Sequence, residues 1–295
     1  MLNIILAAVD LDDSEAVLAR AAQLAANHGA WLIVLHVIDD EALTRAAAVA
    51  PGGEPALRDL LKREATARLD AAISGFGRVR RNDVLVAFGA AHEVIARMAG
   101  ERSVDLVVLG PGRSKGRSLR DKVLGSTADR VIRTSPAPVL VVRSAAPEPY
   151  RQALVSIDYS EQSIAAARAV CKLAPDARLQ LVHVINVPLA FEEVMLRAGT
   201  SAADLARYRM SRIASARNAL RTFARETMGF EKAATRILEG EPGPVLCRLA
   251  RSKSVGVLAI GPHGRGAVVS ALLGSVTQRV LREAACDVLV ASTRR

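Results

Sequence analysis

Short runs of apolar residues recur along the chain. Each is too short to span a bilayer and continuous enough for a strand buried on both faces. In the first half they fall at residues 3–9, 31–37, 83–87, 105–109 and 138–142. Between them the patterning is helical, predicting helices from Ser14, across Glu54 to Ser74, after Gly89 and after Gly125. Strands alternating with helices predict an α/β fold, an open doubly wound parallel sheet with right-handed crossovers. A ligand in such a sheet sits beyond the carboxyl ends of the strands, where the strand order reverses. Asp10, Val37 and Gly110 fall at those ends.

The pattern is written twice. "WLIVLHVID" from Trp31 matches "RLQLVHVIN" from Arg178, and "VDLVVLGPG" from Val104 matches "VGVLAIGPH" from Val255. "VLGSTADRVIRTSPAPVLVV" from Val123 matches "LLGSVTQRVLREAACDVLVA" from Leu272. A chain of 295 residues therefore divides into two copies of one unit, 1–146 and 147–295, with a linker around Ser144 to Tyr150. Asp158, Val184 and Gly261 are the second-copy equivalents of the strand-end residues.

Composition narrows the function. The formal charge is +10 and uneven: residues 1–147 hold 19 Lys/Arg against 17 Asp/Glu, and residues 148–295 hold 21 against 13. Much of the surplus is arginine spread along "RYRMSRIASARNALRTFAR", where Tyr208, Ile213, Leu220 and Phe223 share an apolar side, so the arginines read as a solvated face. Aromatic residues are 3% of the chain, too few to stack bases, which argues against nucleic acid as partner. Cys171, Cys247 and Cys286 form no CxxC pair and read as small packing residues in a reducing compartment. The apolar start reaches Asp10 without a basic lead, unlike a signal peptide; a cytoplasmic protein without membrane association is the expectation.

The chemistry gathers in "GPHGRGAVVSALLGS", Gly261 to Ser275. It leaves an apolar strand through Gly261, Gly264 and Gly266 and ends on Gly274-Ser275, where a helix starts. A helix N-terminus offers unpaired N–H groups and partial positive charge to a phosphate, and glycines let backbone approach it closely. Ser275 and Thr277 are candidate hydroxyl donors. Asp158 is a candidate acceptor for an exocyclic amine or hydroxyl, at the other end of a pocket shaped for a nucleotide. The loop is no P-loop, since GxxxxGKS/T is absent, and it follows the fourth strand rather than the first, unlike a Rossmann fingerprint.

Gly261-x2-Gly264-x9-Gly274-Ser275 is the G-x2-G-x9-G-S/T signature of ATP-binding universal stress proteins, and "VSIDYSEQS", "LVHVI", "GEP" and "DVLV" fit the same family in order. The whole chain, twice over, resembles a tandem universal stress protein. The resemblance implies five-stranded units of strand order 3-2-1-4-5 in the adenine-nucleotide α-hydrolase-like class. It implies ATP, AMP or ADP, with Mg²⁺ as an optional companion, held by Asp158, Val184, Gly261, Gly264, Gly274 and Ser275. His263 and Val276, inside and just after the loop, join them as candidates.

The first half keeps Asp10, Val37, Gly110, Gly112, Gly125, Ser126 and Thr127, but Gly110 and Gly125 stand two residues farther apart than their counterparts. Arg113, Lys115 and Arg117 add charge that could hold phosphate differently, and binding there stays open. Asp12 and Asp13 read as helix caps or dipole partners, and His36 and His183 as structural histidines. No metal site and no catalytic constellation is expected: the second-half loop lacks the carboxylates that phosphoryl transfer needs, leaving at most slow ATP hydrolysis.

A stress-response module whose conformation or protein partners change with nucleotide is the leading expectation. A nucleotide-independent scaffold with vestigial pockets is the alternative. An early SGGxDS-type pyrophosphatase loop, which an enzyme of the wider class would need, is absent. The last strand of each half is apolar, and single-domain relatives commonly pair through it. The expectation is an internal pseudo-twofold pairing of Val139 to Val142 with Val288 to Val290; a further homodimer of whole chains stays open.

Overall fold

The computed structural model describes residues 1–49, 53–76, 82–112, 124–143, 148–186, 189–230, 233–264 and 272–293. In the first half the strands are β1 (Ile4–Ala8), β2 (Trp31–Ile38), β3 (Asn82–Phe88), β4 (Leu106–Leu109) and β5 (Val139–Val141). The helices are α1 (Glu15–His28), α2 (Asp40–Ala47), α3 (Gly53–Ser74), α4 (Ala91–Glu101) and α5 (Ser126–Thr134). The second half repeats the order with β6 (Gln152–Ser156), β7 (Arg178–Ile185), β8 (Ala234–Glu239), β9 (Val257–Ile260) and β10 (Asp287–Val290). Its helices are α6 (Glu161–Leu173), α7 (Leu189–Arg197), α8 (Ala202–Thr222), α9 (Pro242–Leu249) and α10 (Ser275–Glu283). A π-helical turn, Phe223–Thr227, follows α8.

Sequence patterning located the strands and the long helices but not α2, which the Asp39 side chain caps by accepting from the N–H groups of Glu41 and Ala42. Only Leu43 of α2 is buried, so it carries little of the period that betrays a helix.

The sheet order is β3-β2-β1-β4-β5-β10-β9-β6-β7-β8. Each half is the parallel 3-2-1-4-5 arrangement, and the halves meet antiparallel through β5 and β10, with Val141 opposite Val288, Leu140 opposite Leu289 and Val139 opposite Val290. The pairing turns two apolar edges into the centre of a ten-stranded sheet and removes two sites for stray strand addition. Strands at the centre are wholly buried, as in "LVVL", "VLAI" and "DVLV". Apolar clusters form on both faces of the sheet, and each draws residues from both halves.

The seam is also held by charge. Arg20 of α1 lies 3.1 Å from the Asp287 carboxylate, both side chains being at least 97% buried. Asp287 further accepts from the Tyr150 hydroxyl at 2.6 Å and the Arg143 N–H at 2.7 Å. Arg20 donates to the Glu148 carbonyl at 2.6 Å and lies over the Tyr150 ring. A buried carboxylate is tolerable only with such compensation. Burial, then the adjacent Asp287 charge, raise the Tyr150 phenol well above its ordinary value of 10.0. Burial pushes the Cys286 thiol up to about 12. Cys171, Cys247 and Cys286 are free, and the last two are buried. No helix of the described residues is long and apolar enough to cross a membrane.

Candidate functional site

The carboxyl ends of β6, β7 and β9 and the N-terminus of α10 enclose a cavity of about 580 Å³. Its wall includes Asp158, Val184, Gly261, His263, Gly264, Gly274, Ser275 and Val276, so every second-half candidate is in one place. The volume lies within the range of about 300–1,000 Å³ usual for small-ligand pockets.

Each glycine of the motif answers to a different constraint. A Cβ on Gly261 would lie 2.7 Å from Gln162 Cβ and 3.2 Å from its carbonyl carbon, so this glycine lets the first turn of α6 pack against the end of β9. A Cβ on Gly264 would lie 3.1 Å from Asp158 Oδ2 and meet nothing else within 4 Å among the described residues. Gly274 caps α10 and donates its N–H to the Pro262 carbonyl at 2.8 Å, closing the loop. Gly266 lies outside the described residues.

Two sequence expectations change here. Thr277 is buried, and its hydroxyl donates to the Gly261 carbonyl at 2.8 Å. It fastens the loop to α10 instead of presenting a donor to the cavity. Asp158 does not stand at the far end from the glycine loop, because Gly264 lies against its carboxylate.

Asp158 is fixed by its own turn. Its Oδ1 accepts from the Ser160 N–H at 3.0 Å and from the Ser160 hydroxyl. Ser160 is the N-cap of α6 and accepts from the Ser163 N–H. Capping belongs to Ser160, and Asp158 holds the cap residue. His183 Nδ1 donates to the Ile157 carbonyl at 2.7 Å, and its ring lines the cavity. His263 Nδ1 is buried and has no hydrogen-bond partner among the described residues.

Sequence reasoning missed Tyr159. Its φ is +65°, a left-handed conformation that costs a bulky side chain roughly 1–3 kcal/mol. Its ring is 4.6 Å from that of His183 and 5.1 Å, edge-on, from that of Phe223, the first residue of the π-helical turn. No residue pattern signals a tyrosine in a glycine's conformation.

The first-half site shares the frame. Asp10 Oδ1 accepts from the Asp12 N–H at 3.3 Å, and His36 Nδ1 donates to the Val9 carbonyl at 2.9 Å. Gly125 N–H donates to the Pro111 carbonyl at 2.7 Å, as Gly274 does to Pro262. These bonds align Gly110-Pro111-Gly112 with Gly261-Pro262-His263 and Gly125 with Gly274. The two extra residues therefore lie between Gly112 and Gly125. Gly112, at φ +80°, stands where the other copy has an imidazole, and its own Cβ direction is filled by Gly125 Cα at 3.0 Å. Val37 is the penultimate residue of β2 and Ser126 opens α5. Arg113, Lys115 and Arg117 lie outside the described residues. Asp12 and Asp13 precede α1 in a turn, and Asp12 pairs with Arg68 at 3.7 Å instead of capping the helix.

The universal stress protein family model matches residues 1–143 and 149–292. The chain belongs to the universal stress protein family and carries its domain twice. Individual relatives match one unit. A universal stress protein of Thermus aquaticus is 32% identical over 133 residues, 45% of this chain and 90% of that one. Universal stress protein A homolog 1 of Coxiella burnetii is 31% identical over 144 residues, 47% of this chain and 94% of that one. A universal stress protein structure from Archaeoglobus fulgidus covers the whole of both chains at TM-score 0.65 and 19% identity. A putative one from Pseudomonas aeruginosa covers 98% of this chain and 93% of its own at TM-score 0.61 and 23% identity. These structural likenesses concern the fold.

Proposed function

We propose that this protein is a cytoplasmic nucleotide-binding stress-response protein whose second unit, 147–295, holds ATP or AMP. The first unit, 1–146, acts chiefly as its structural partner. The observation that carries the reading is the space at Gly264: a bare Cα beside the Asp158 carboxylate, in the wall of a cavity that Ser275 and Val276 at the start of α10 also line. His263 Nδ1, buried without a partner among the described residues, is a polar atom that a ligand hydroxyl or phosphate oxygen would satisfy. The residues present thus fit a nucleotide.

In this reading Asp158 accepts a hydrogen bond from the base, the backbone at Val184 flanks it, the bare Cα of Gly264 leaves room for the ligand beside that carboxylate, and Gly274, Ser275 and Val276 surround phosphate. Bound nucleotide would join loop, α10 and strand ends into one rigid unit, and that stiffening is what a protein partner could read. Mg²⁺, if it takes part, would arrive on the phosphates. The experiment is mass analysis of nucleotide released from protein purified without additions, with calorimetric titration of ATP and AMP. Binding of neither, by correctly folded protein, would favour the nucleotide-independent scaffold.

A further inference from the structure

We infer that Tyr159 is a positioning residue that fixes the direction of the Asp158 carboxylate and so sets which base the second-half pocket accepts. The inference rests on the nucleotide reading above and adds to it a source of base discrimination.

The internal duplicate serves as the control. Asp10 and Asp158 make the same turn, each accepting from the N–H two residues on. In the first half the intervening residue is Leu11, which has no positive φ; in the second it is Tyr159 at +65°. The turn therefore does not demand the left-handed conformation, and neither does the fold. What differs is the environment of the side chain. Tyr159 meets Phe223 edge-on and His183 at a tilt. Phe223 opens a π-helical turn, whereas the equivalent helix α3 runs regularly to Ser74. A strained residue and a widened helical turn meet beside the candidate carboxylate, only in the half that keeps the full glycine motif. Both features are enriched at functional sites because folding alone does not reward them.

The mechanics follow from the chain. The residue before Asp158 is held through its carbonyl by His183, and the residue after it is held through its ring by His183 and Phe223. Asp158 is thereby clamped on both sides by β7 and the end of α8. A carboxylate with a fixed direction accepts from the exocyclic amine of adenine and repels the carbonyl oxygen that guanine presents at the same ring position. A carboxylate free to swing would lose that contrast.

The test uses the full chain with Tyr159→Gly and Phe223→Ala. Glycine adopts φ +65° without steric cost, so Tyr159→Gly removes the clamp and relieves the strain together. Phe223→Ala loosens the clamp from the helix side and leaves the strand end untouched. Affinities for ATP and GTP are measured by calorimetry beside urea midpoints. The expected result is about a five- to tenfold loss of ATP affinity in each variant, the size of one hydrogen bond. GTP affinity changes little, so the ATP-over-GTP ratio narrows. If Tyr159→Gly does not fold, Phe223→Ala decides alone. Wild-type affinity and preference in the folded variants, or a wild type that binds ATP without preferring it over GTP, overturns the positioning role alone. A wild type that binds no nucleotide overturns the nucleotide reading itself.

Discussion

Arg20 and Asp287 form a buried ion pair at 3.1 Å that joins the first helix of one half to the last strand of the other. It has no pseudo-twofold counterpart. The strand register places Pro138 where the second half has Asp287, and Arg168, the equivalent of Arg20, is exposed. A symmetric homodimer would present any such pair twice. The duplicated chain has been free to specialise one side of its seam, and the result commits these two halves to each other.

Removing one partner of that pair should cost far more than removing both. Arg20→Met or Asp287→Asn alone leaves an uncompensated buried group, an expected loss of about 3–5 kcal/mol. The double variant should lose clearly less than the sum, with a coupling energy of about 0.5–3 kcal/mol read from urea midpoints. Strict additivity would show that the two charges act independently.

Alkaline pH should loosen the same seam. Tyr150 is raised well above 10.0 and Cys286 from 9.0 to about 12, so the folded state keeps both protons after the unfolded chain has lost them. Their contribution is fully present below pH 9 and falls as pH rises. Cys286 gives it up between about 9 and 12, and Tyr150 above 10. Each group steepens the fall by about 1.4 kcal/mol per pH unit within its window. Urea unfolding at successive pH values from 8 to 11 should show the decline, and Cys286→Ala should flatten its first part. An unchanged slope in that variant would remove Cys286 from the explanation.

Ser275 and Thr277 should separate ligand binding from loop anchoring. Thr277→Val breaks the buried bond to the Gly261 carbonyl, leaving it unsatisfied, at an expected cost of about 1–3 kcal/mol of stability. Ser275→Ala, at the first turn of α10, should weaken ATP and leave stability within about 0.5 kcal/mol. The reverse assignment of the two effects would mean that Ser275 is the anchor.

The seam itself can be locked. Leu140 and Leu289 are partners across β5 and β10. Cysteines there, in a background without the three native thiols, should crosslink within one chain under oxidation. Crosslinks only between chains would show that the pairing is intermolecular.

Strands and long helices were legible because buried parallel strands are written as unbroken apolar runs, and the repeat gave each run a second reading. The seam was legible in "PAPVLVV" and "CDVLVAS" as two apolar edges. The site was legible as a loop and a carboxylate, but not as a geometry. Spacing alone cannot show that Gly261 makes room for Gln162 while Gly264 faces Asp158, since one residue type serves both. Nor could it show that the Thr277 hydroxyl turns inward. Tyr159 is the clearest case: its conformation arises from Phe223 and His183, distant in sequence, and a tyrosine carries no mark of a positive φ.

The measurement that bears most directly on function is calorimetric titration of ATP into the wild-type chain and into Gly264→Val. The valine would fill the space beside Asp158 at an exposed loop position whose glycine has no positive φ, so the fold should persist. The prediction is a single ATP site per wild-type chain and loss of that site in a Gly264→Val protein with an unchanged urea midpoint. Equal ATP affinity in the two proteins would contradict it.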